Sequence, residues 1–354
     1  MRMFWQSGAQ LRRTCRVWCA LLLMALAGLF TLTACLPPSL PRVIKIGLVA
    51  PFEGRYRYVG YDAIYAARLA VREINAAGGA GGWMLELVAY DDRADAELAH
   101  TAARNIVIDS DVVAVIGHYR QASTEAASAV YAEAGMPLLA VGAWLTPVGA
   151  PTARETSRAS VWHMVPSPEQ VADAMIVVAQ SETGYRAEFV PFTSPPAGGR
   201  PPLDTPIVGG VFPLNASFIG GTFLFTSPPL GGTEGGEVWC EGTLFVTPYP
   251  LPRDLPDLQA WDAAYRAVGP HVPDPGIYAL PTYEAVYALA EAIATAAESG
   301  ERPSRAGVAA ALPGVRRDGV LGTLAWDAMG YWQEMPLYVY VWEQAGARLV
   351  DGRQ

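Results

Sequence analysis

VVAVIGHYRQASTEAASAVYAEAGMPLLA, residues 112–140, is the stretch that decides the expected fold. An apolar, β-branched run ends at Gly117, and after a short polar loop a helical segment opens at Ser123 and Thr124. Gly135 closes the helix before a second apolar run, so the order is strand, loop, helix, strand. In a parallel sheet such a loop lies at the carboxyl edge, beside free backbone N–H groups of a helix N-terminus that suit an anionic group. The stretch therefore predicts a binding edge for a small molecule.

The same alternation continues towards the N-terminus. Strands are expected at 43–49 and 84–90, and helices at about 62–77 and 94–108. Strand and helix units in series with short connections predict an α/β fold built on a doubly wound parallel sheet, with helices on both faces. The chain has 354 residues, which is more than one hydrophobic core usually accommodates, so about two domains are expected.

Residues 1–35 differ in composition from the rest of the chain. Four arginines and no acidic residue accompany an apolar run at about 17–30, and small residues lead up to Cys35. A basic region, a short apolar region and small residues at a cleavage site predict an export signal. The segment LTAC (32–35) resembles the lipobox of bacterial lipoproteins, whose cysteine becomes the lipidated first residue of the mature chain. An ordinary signal peptide and an uncleaved anchor are the alternatives.

On the lipoprotein interpretation, residues 1–35 are a signal peptide and Cys35 carries acyl chains. These chains would tether the protein to the outer face of the cell membrane, in the periplasm or at the cell surface. Residues 36–42 would form a stiff, proline-rich spacer. Only Cys240 then remains in the folded part, so no intramolecular disulfide is expected.

Charge balance and motifs exclude two classes of function. With 34 acidic against 25 basic residues, the chain lacks the basic surface that a nucleic-acid partner requires. The sequence has no P-loop, G-x-S-x-G elbow, H-E-x-x-H motif or G-x-G-x-x-G after a strand, so we predict no enzyme activity and no cofactor. Asp91, Asp92 and Asp95 could be read as a metal cluster. Carboxylates that cap a strand end and a helix start are the commoner arrangement, so no metal site is predicted.

Four segments share their order and spacing with a known family. They are VIKIGLVAPFEG (43–54), YDAIYAARLAVREINAAGGAGGWMLELVAYDD (61–92), VVAVIGHYRQAST (112–124) and AVYAEAGMPLL (129–139). This part of the chain resembles the Leu/Ile/Val-binding proteins, which have the type I periplasmic-binding fold. The resemblance resumes more weakly at 239–250, 278–293 and 319–330.

The resemblance implies two lobes joined by three crossing segments, with a ligand held in the cleft between them. Residues 43–150 plus 251–325 would form lobe 1, and residues 151–250 plus 326–354 would form lobe 2. From about 186 to 236 the chain is rich in Pro and Gly, and no amphipathic helix is visible in its sequence. A helix-poor span of this length does not fit a regular α/β lobe, so lobe 2 is expected to be reduced or irregular.

The resemblance also implies where the ligand binds. Gln121 lies where the family commonly has a serine that binds an amino-acid carboxylate, and Ala122 offers a backbone N–H group beside it. The alternative is that Gln121 only caps the helix and faces water. Gly142, Ala143 and Trp144 follow the next strand, where the family offers backbone groups and a threonine hydroxyl to the ligand.

The remaining expected contacts are aromatic. Trp144 would either stack on an aromatic or cationic ligand or plug the cleft. Tyr58 and Tyr278 are expected to line the pocket, since tyrosine combines a flat apolar body with a polar tip.

Val211 and Phe212 stand where the family has an acidic group for the ligand's ammonium. Burial of an unpaired ammonium is unfavourable, so a neutral or anionic ligand is an alternative to an amino acid.

Taken together, these features predict a lipid-anchored, extracytoplasmic solute-binding protein of an ABC importer. It would deliver a small amino-acid-like or related polar molecule to the permease subunits, as a monomer whose two lobes close on the ligand. A ligand-sensing ectodomain for a signalling partner and a non-binding scaffold derived from the same fold are the alternatives. Resemblance in fold is an analogy about function, so the alternatives stay open at this point.

Overall fold

The computed structural model describes residue 18 and the ranges 41–143, 161–167, 169–171, 173–174, 177–178, 188–191, 207–210, 216–219, 222–225, 244–343 and 346–352. Backbone contacts divide the chain into two units, residues 1–41 and residues 42–354, and the fold set out below is that of the second unit. The predicted lipidation site Cys35 and the predicted ligand contact Trp144 lie outside the described residues. No helix within the described ranges is both long enough and apolar enough to cross a membrane.

The first sheet contains five strands: Val43–Ala50 (β1), Met84–Asp91 (β2), Val112–Ile116 (β3), Leu138–Ala140 (β4) and Val161–His163 (β5). Their order is β2-β1-β3-β4-β5, and every pairing is parallel. β3 and β4 are buried throughout, as strands covered by helices on both faces should be. The predicted doubly wound parallel sheet is therefore confirmed.

β5 corrects the expected lobe boundary at residue 150. It lies in the range 151–250 that the sequence assigns to the second lobe, yet it pairs with β4 in the first sheet, Leu138 opposite Val161. All three residues of β5 are buried. An apolar strand at this place covers an edge of β4 that would otherwise offer unpaired backbone groups, and this explains why the sheet extends past residue 150.

Six helices have both ends among the described residues. They are Arg57–Ala76 (α1), Ala96–Ile106 (α2), Gln121–Glu133 (α3), Gln259–Arg266 (α4), Ala279–Ala297 (α5) and Arg305–Ala311 (α6). The described residues among 169–178 are also helical, where a helix is predicted. Short 3₁₀ turns at Pro252–Asp254, Pro256–Leu258 and Leu312–Gly314 link these elements.

Two helices begin earlier than the sequence predicts. α1 begins at Arg57 rather than near Asp62, and Val59 and Gly60 in its first turn are buried. Gly60 permits a close approach to the chain after β1, since a Cβ atom there would clash with the backbone carbonyl that follows β1. α3 begins at Gln121, with Arg120 as an N-cap residue whose side chain makes no capping hydrogen bond.

The C-terminal helices pack onto the first sheet's helices. α5 packs against α1 and α6, and most of its residues are buried. Glu284 in α5 is fully buried and forms an ion pair with Arg317 of the short strand Arg317–Gly319 (β11), which pairs with Gly322–Leu324 (β12). The guanidinium of Arg305 donates to three backbone carbonyls near the end of α2 and the start of β3, at 2.9–3.0 Å: Val107, Asp109 and Val112.

A second sheet has mixed rather than parallel pairing. Its strands are Ala216–Ile219 (β8), Thr222–Phe225 (β9), Leu244–Thr247 (β10), Tyr338–Glu343 (β13) and Gly346–Gly352 (β14), in the order β14-β13-β10-β9-β8. Only β9 and β10 pair in parallel. Glu188–Pro191 (β6) and Ile207–Gly210 (β7) form a separate parallel pair.

The lengths of the connections between strands explain why the second sheet is not entirely parallel. A parallel pair needs a crossover of about a dozen residues, usually a helix, whereas a hairpin needs only a few. Only Gly220 and Gly221 separate β8 from β9, so this pair is antiparallel. The described residues between 186 and 236 are all in short strands, and the expected reduced second lobe stays a prediction.

Candidate functional site

The carboxyl edge of the first sheet forms a crevice between β1 and β3. From β1 the chain continues through α1 to β2 on one side, and from β3 it continues through α3 to β4 on the other. In open α/β sheets, small ligands bind at such a switch point, outside the carboxyl ends of the strands. The loops at 51–56 and 117–120 leave the two strands here, and residues 141–143 follow β4.

Gly117 and His118 fix the loop that follows β3. Gly117 has a φ of +131°, and a Cβ atom there would clash with the backbone carbonyl of Val49 in β1. His118 is fully buried, with Nδ1 2.6 Å from a carboxylate oxygen of Asp92 and Nε2 3.2 Å from the hydroxyl of Tyr131. Because both ring nitrogens have protein partners, His118 orients the loop rather than binding a ligand.

Gly142, after β4, brings the backbone against two buried tyrosines. Its φ is +82°, and a Cβ atom there would lie 3.1 Å from the carbonyl oxygen of Tyr119 and 3.1 Å from the ring of Tyr278. The rings of Tyr119 and Tyr278 meet edge to face at 5.6 Å, and the ring of Tyr249 lies 5.7 Å from that of Tyr278. Thr282 donates to the carbonyl of Tyr278 at 2.7 Å and therefore accepts the hydroxyl proton of Tyr119 at 2.8 Å.

Asp62 of α1 holds the segment that carries Tyr278. Its Oδ1 atom accepts the backbone N–H of Gly276 at 3.0 Å, and the backbone N–H of Tyr278 also donates to it. Burial raises the pKa of Asp62 to about 7, although these two donors oppose the shift. The carboxyl group therefore links α1 to the N-terminal end of α5.

Arg120, the N-cap residue of α3, lies among the tyrosines of the crevice. Its guanidinium carbon is 4.2 Å from the ring centroid of Tyr56. Burial raises the pKa of Tyr58 to about 12 and raises the pKa of Tyr278, while the nearby charge of Arg120 opposes both shifts. Across the described ranges, no carboxylate lies within ion-pair distance of Arg120. The carboxyl edge thus carries a positive charge that no described residue neutralises.

The first turn of α3 contains polar atoms without a protein partner. The side-chain amide of Gln121 donates to Glu125, while its Oε1 atom is buried and has no hydrogen-bond partner among the described residues. The hydroxyl of Ser123 is also fully buried, and it too has no partner in that part of the chain. Ala122 is exposed, and no side chain caps this end of the helix. Gln121 is half-buried and pairs along the helix, so it does not simply face water.

Ala143 contributes to the frame of the crevice. Its carbonyl oxygen accepts the Nδ1 proton of His163 at 3.0 Å, and the His163 ring stacks on Tyr331 at 4.5 Å. Burial lowers the pKa of His163 to about 4, so the ring is neutral at pH 7. The carbonyl of Ala143 is thus occupied by a protein donor. Trp144, the residue after it, lies outside the described residues, and its predicted role stays a prediction.

The acidic residues after β2 have structural partners. Asp95 caps α2 by accepting two backbone N–H groups at 2.9 and 3.0 Å, and Asp92 pairs with His118. Asp91 accepts the backbone N–H of Phe52 at 2.8 Å and so ties β2 to the loop after β1. Among the residues that the structure describes, no group of His, Cys, Asp or Glu side chains is arranged to hold a metal ion.

Three residues of this edge were not predicted from the sequence: Arg120, Tyr249 and Asp62. Arg120 had no usable signal, because the sequence places the helix start at Ser123, whereas the structure makes Arg120 the N-cap residue. Asp62 had a weak signal, as an acidic residue in the apolar half of a helix. Tyr249 had none, because its contact with Tyr278 joins distant parts of the chain.

The parallel sheet, its switch point and the second sheet define an α/β protein of the solute-binding class. The model of the periplasmic binding protein family matches residues 43–201 and 214–347, and the chain therefore belongs to this family, in its type I, Leu/Ile/Val-binding-like branch. The resemblance drawn from the N-terminal segments is confirmed. Membership in this family implies an extracytoplasmic location.

Curated relatives align with part of the chain. An amino acid binding protein of Pseudomonas aeruginosa is 35% identical over 99 residues, which cover 28% of this chain and 26% of that protein. The Leu/Ile/Val-binding protein of Escherichia coli K12 is 35% identical over 101 residues, which cover 28% of this chain and 27% of that protein. The chain therefore aligns with only about a quarter of the length of these relatives.

Solved structures match over nearly the whole fold. The branched-chain amino acid transporter substrate-binding protein LivJ from Streptococcus pneumoniae, in complex with isoleucine, has a TM-score of 0.60 at 18% identity and covers 88% of this chain and 99% of its own. A solute-binding protein from R. palustris, in complex with 4-hydroxybenzoate, has a TM-score of 0.64 at 15% identity and covers 88% of this chain and 97% of its own. Identities this low show a shared fold.

Proposed function

We propose that this chain is a solute-binding protein that delivers a small amino-acid-like or related organic acid to an ABC importer. The observation that carries the proposal is the convergence of Gly142, Tyr278, Tyr58 and Arg120 at the switch point of the first sheet. The names of the relatives, which refer to binding of amino acids, support it. Similar solved structures hold isoleucine, leucine, benzoate or 4-hydroxybenzoate, each of which has a carboxyl group.

We further propose that the protein acts as a monomer with two lobes. The first lobe would comprise 43–150, β5 and 251–325. The second would comprise the rest of 151–250 together with 326–354. Closure of the lobes would bury the ligand and present a changed surface to the permease subunits.

Backbone contacts between distant segments support a crossing region between the lobes. The N–H of His163 donates to the carbonyl of Gly330 at 2.7 Å, and the N–H of Trp332 donates to the carbonyl of Val165 at 3.0 Å. The indole N–H of Trp326 donates to the carbonyl of His163 at 3.2 Å. A hinge needs such short, hydrogen-bonded crossings, because they let two bodies rotate without unfolding.

The proposed lipid anchor at Cys35 has a direct test. The full chain would be expressed in a bacterial host supplied with an alkyne-tagged fatty acid, beside the variants Cys35→Ser and Cys240→Ser. We expect label on the wild type and on Cys240→Ser and none on Cys35→Ser, because only Cys35 stands in the lipobox. Label that persists on Cys35→Ser would refute the anchor at this position.

The proposed ligand binding is tested with the full chain purified in detergent. Calorimetry against leucine, isoleucine, benzoate, amides and nucleosides would identify the class that binds. A ligand at about 100 times its Kd stabilises the folded state by about 2.7 kcal/mol, so a thermal shift gives an independent reading. No binding by any member of the panel would contradict the proposed function and favour a scaffold.

A further inference from the structure

Arg120 has no acidic partner among the described residues, and its guanidinium lies nearer the Tyr56 ring than that of Arg55, at 4.2 Å against 5.7 Å. It follows the loop at the end of β3, stands at the start of α3, and stacks on Tyr56 at 4.2 Å. Its charge acts on the hydroxyls of Tyr58 and Tyr278. A guanidinium presents five donors in a planar fork, and stacking on a ring holds this fork in one orientation.

Three carboxylates on the neighbouring elements have other partners, and a fourth, Glu53 in the loop after β1, is exposed to solvent. Asp62 accepts backbone N–H groups from the segment at 276–278. Asp91 accepts the backbone N–H of Phe52. Glu125 is exposed and accepts the side-chain amide of Gln121. None of these three groups is left to neutralise Arg120, nor to pair with an ammonium on a ligand.

Buried polar atoms at the same edge also have no partner within the described chain. Ser123 is fully buried, and its hydroxyl has no hydrogen-bond partner among the described residues. Tyr249 is 2% exposed; the backbone N–H of Gly142 approaches its hydroxyl oxygen, but the hydroxyl proton has no acceptor in that part of the chain. A buried hydroxyl without a partner costs about 1–3 kcal/mol, so such groups persist where a bound molecule completes them. Tyr249 contacts Tyr278, which places its hydroxyl in the aromatic part of the crevice.

The remaining surroundings of Arg120 are flat and apolar. Tyr56 and Tyr58 come from the loop and first turn after β1, and Tyr278 and Tyr249 come from the C-terminal half of the chain. Aromatic faces favour planar apolar partners through stacking and edge contacts. The crevice therefore combines the guanidinium of Arg120, with that of Arg55 on the same Tyr56 ring, with several tyrosine rings.

Resting on the proposed function, we propose that Arg120 selects a monoanionic carboxylate on a flat apolar body and rejects its α-amino analogue. The carboxylate would lie against the guanidinium fork and the open N-terminal turn of α3, and the apolar body would lie against the tyrosines. An α-ammonium would enter the crevice close to the charge of Arg120. It would meet like charge, while Asp62 and Asp91 are occupied and Glu53 is exposed to solvent, and these effects oppose binding in a desolvated site.

The experiment uses three probes with one carbon skeleton on the full chain in detergent. 3-Phenylpropanoate has the carboxylate alone, phenylalanine adds an α-ammonium, and 3-phenylpropanamide removes the negative charge. Calorimetry at pH 7 is expected to give the tightest binding for 3-phenylpropanoate. Hydrogen bonds to a charged group contribute about 1.5–3 kcal/mol, which corresponds to about 10- to 100-fold over the amide.

Variants of Arg120 separate charge selection from packing. In Arg120→Gln the acid and the amide should bind within about threefold of each other, because the charge is gone. In Arg120→Lys the preference for the acid should persist in weakened form, because the charge remains but the fork is lost. Arg104→Gln is the matched control: it removes one exposed arginine at the far end of α2 and should leave the acid-to-amide ratio unchanged.

The outcomes distinguish this inference from the proposed function. Tighter binding of phenylalanine or leucine than of 3-phenylpropanoate would overturn the inference and leave the proposed function intact. An unchanged acid-to-amide ratio in Arg120→Gln would overturn the role of Arg120. No binding of any probe, amino acids included, would overturn both.

Discussion

The carboxyl edge of the first sheet contains two sets of polar groups that differ in their partners. Asp62, Asp92 and His118 are buried, and protein donors or acceptors at 2.6–3.2 Å satisfy them. Arg120 and Tyr249 lie near Tyr278 at the same edge, yet no described residue supplies a counter-charge to the first or an acceptor for the hydroxyl proton of the second. The first set stabilises the loops at this edge, and the second set is available to bind a ligand.

This difference leads to opposite expectations for substitutions. Loss of a satisfied buried group leaves its partner unsatisfied and lowers the free energy of unfolding. Loss of an unsatisfied polar group removes no protein hydrogen bond or ion pair, so stability should change little while ligand affinity falls. The four predictions below test this contrast in order of expected size.

The largest expected effect is the pH dependence that Asp62 gives to stability. Burial raises its pKa from 3.8 to about 7 in the folded chain, so the folded state holds the proton more tightly than the unfolded state. This contribution to the free energy of unfolding is fully present below about pH 4. It is lost as the pH rises through about 7, and the total loss is about 4 kcal/mol. Asp62→Asn keeps an acceptor for the N–H of Gly276 and removes the titration.

Urea unfolding of wild type and Asp62→Asn between pH 4 and pH 8 measures this effect as a difference. Burial lowers the pKa of His163 to about 4. Its contribution to the free energy of unfolding is therefore lost as the pH falls from about 6.5 to about 4, the opposite direction to that of Asp62. This contribution is common to both proteins and cancels in the difference. A difference that does not change with pH would contradict the assignment of a raised pKa to Asp62.

The second prediction concerns the buried pair of Asp92 and His118. Asp92→Ala leaves the Nδ1 atom of His118 buried without its partner at 2.6 Å, so the free energy of unfolding should fall by about 3 kcal/mol. Arg93→Ala is the matched control, since Arg93 is exposed and forms a surface ion pair with Asp91 at 3.4 Å. That variant should change stability by less than about 0.5 kcal/mol in the same urea titration. Equal losses in the two variants would mean that His118 does not depend on the carboxylate.

The third prediction separates backbone strain from crowding at the crevice. Gly142 and Gly54 have φ values of +82° and +79°, but only Gly142 has close neighbours, 3.1 Å from the Cβ position. Each substitution by alanine should cost about 1 kcal/mol of strain. Gly142→Ala should cost about 1 kcal/mol more, because the methyl group must displace the ring of Tyr278 or the carbonyl of Tyr119. Thermal unfolding measures the loss of stability in both variants. Equal losses would show that Tyr278 and Tyr119 move to accommodate the methyl group without added cost.

The first sheet was largely predictable from sequence, because its signals are local. The runs that became β1 to β4 are short and apolar, and Gly117 and Gly135 mark real breaks in the chain. Helix periodicity located α1 to α3 to within a few residues. The second sheet was not predictable, because its strands near 207–225 are short and their pairing depends on which distant strand lies beside them.

The candidate site was predictable only in part, for the same reason. Gly142 and Gln121 follow strand ends, so position in the chain indicates the edge they reach. Tyr278 was suggested by resemblance to the family. Arg120 and Tyr249 were recognised only from tertiary contacts. No described carboxylate lies within ion-pair distance of Arg120, and sequence periodicity does not reveal which charges are paired.

The smallest expected effect on stability is at Tyr249. Its hydroxyl proton has no acceptor in the described part of the chain, so Tyr249→Phe should change the free energy of unfolding by less than about 0.5 kcal/mol. If a ligand accepts its proton, the same variant should weaken binding of 3-phenylpropanoate by about 1 kcal/mol, or about fivefold. Tyr265→Phe is a matched control, because that hydroxyl is equally buried without a described partner but lies on α4.

Calorimetry and urea unfolding of these two tyrosine variants decide whether the unsatisfied groups at the edge serve a ligand. Both hydroxyls have the same local chemistry, and they differ in whether they lie beside Tyr278. A loss of affinity in Tyr249→Phe alone would show that position at the crevice is what matters. Equal affinities in both variants would mean that a buried unpaired hydroxyl is a general feature of this core, and the contrast between the two sets of polar groups would then lose its link to binding.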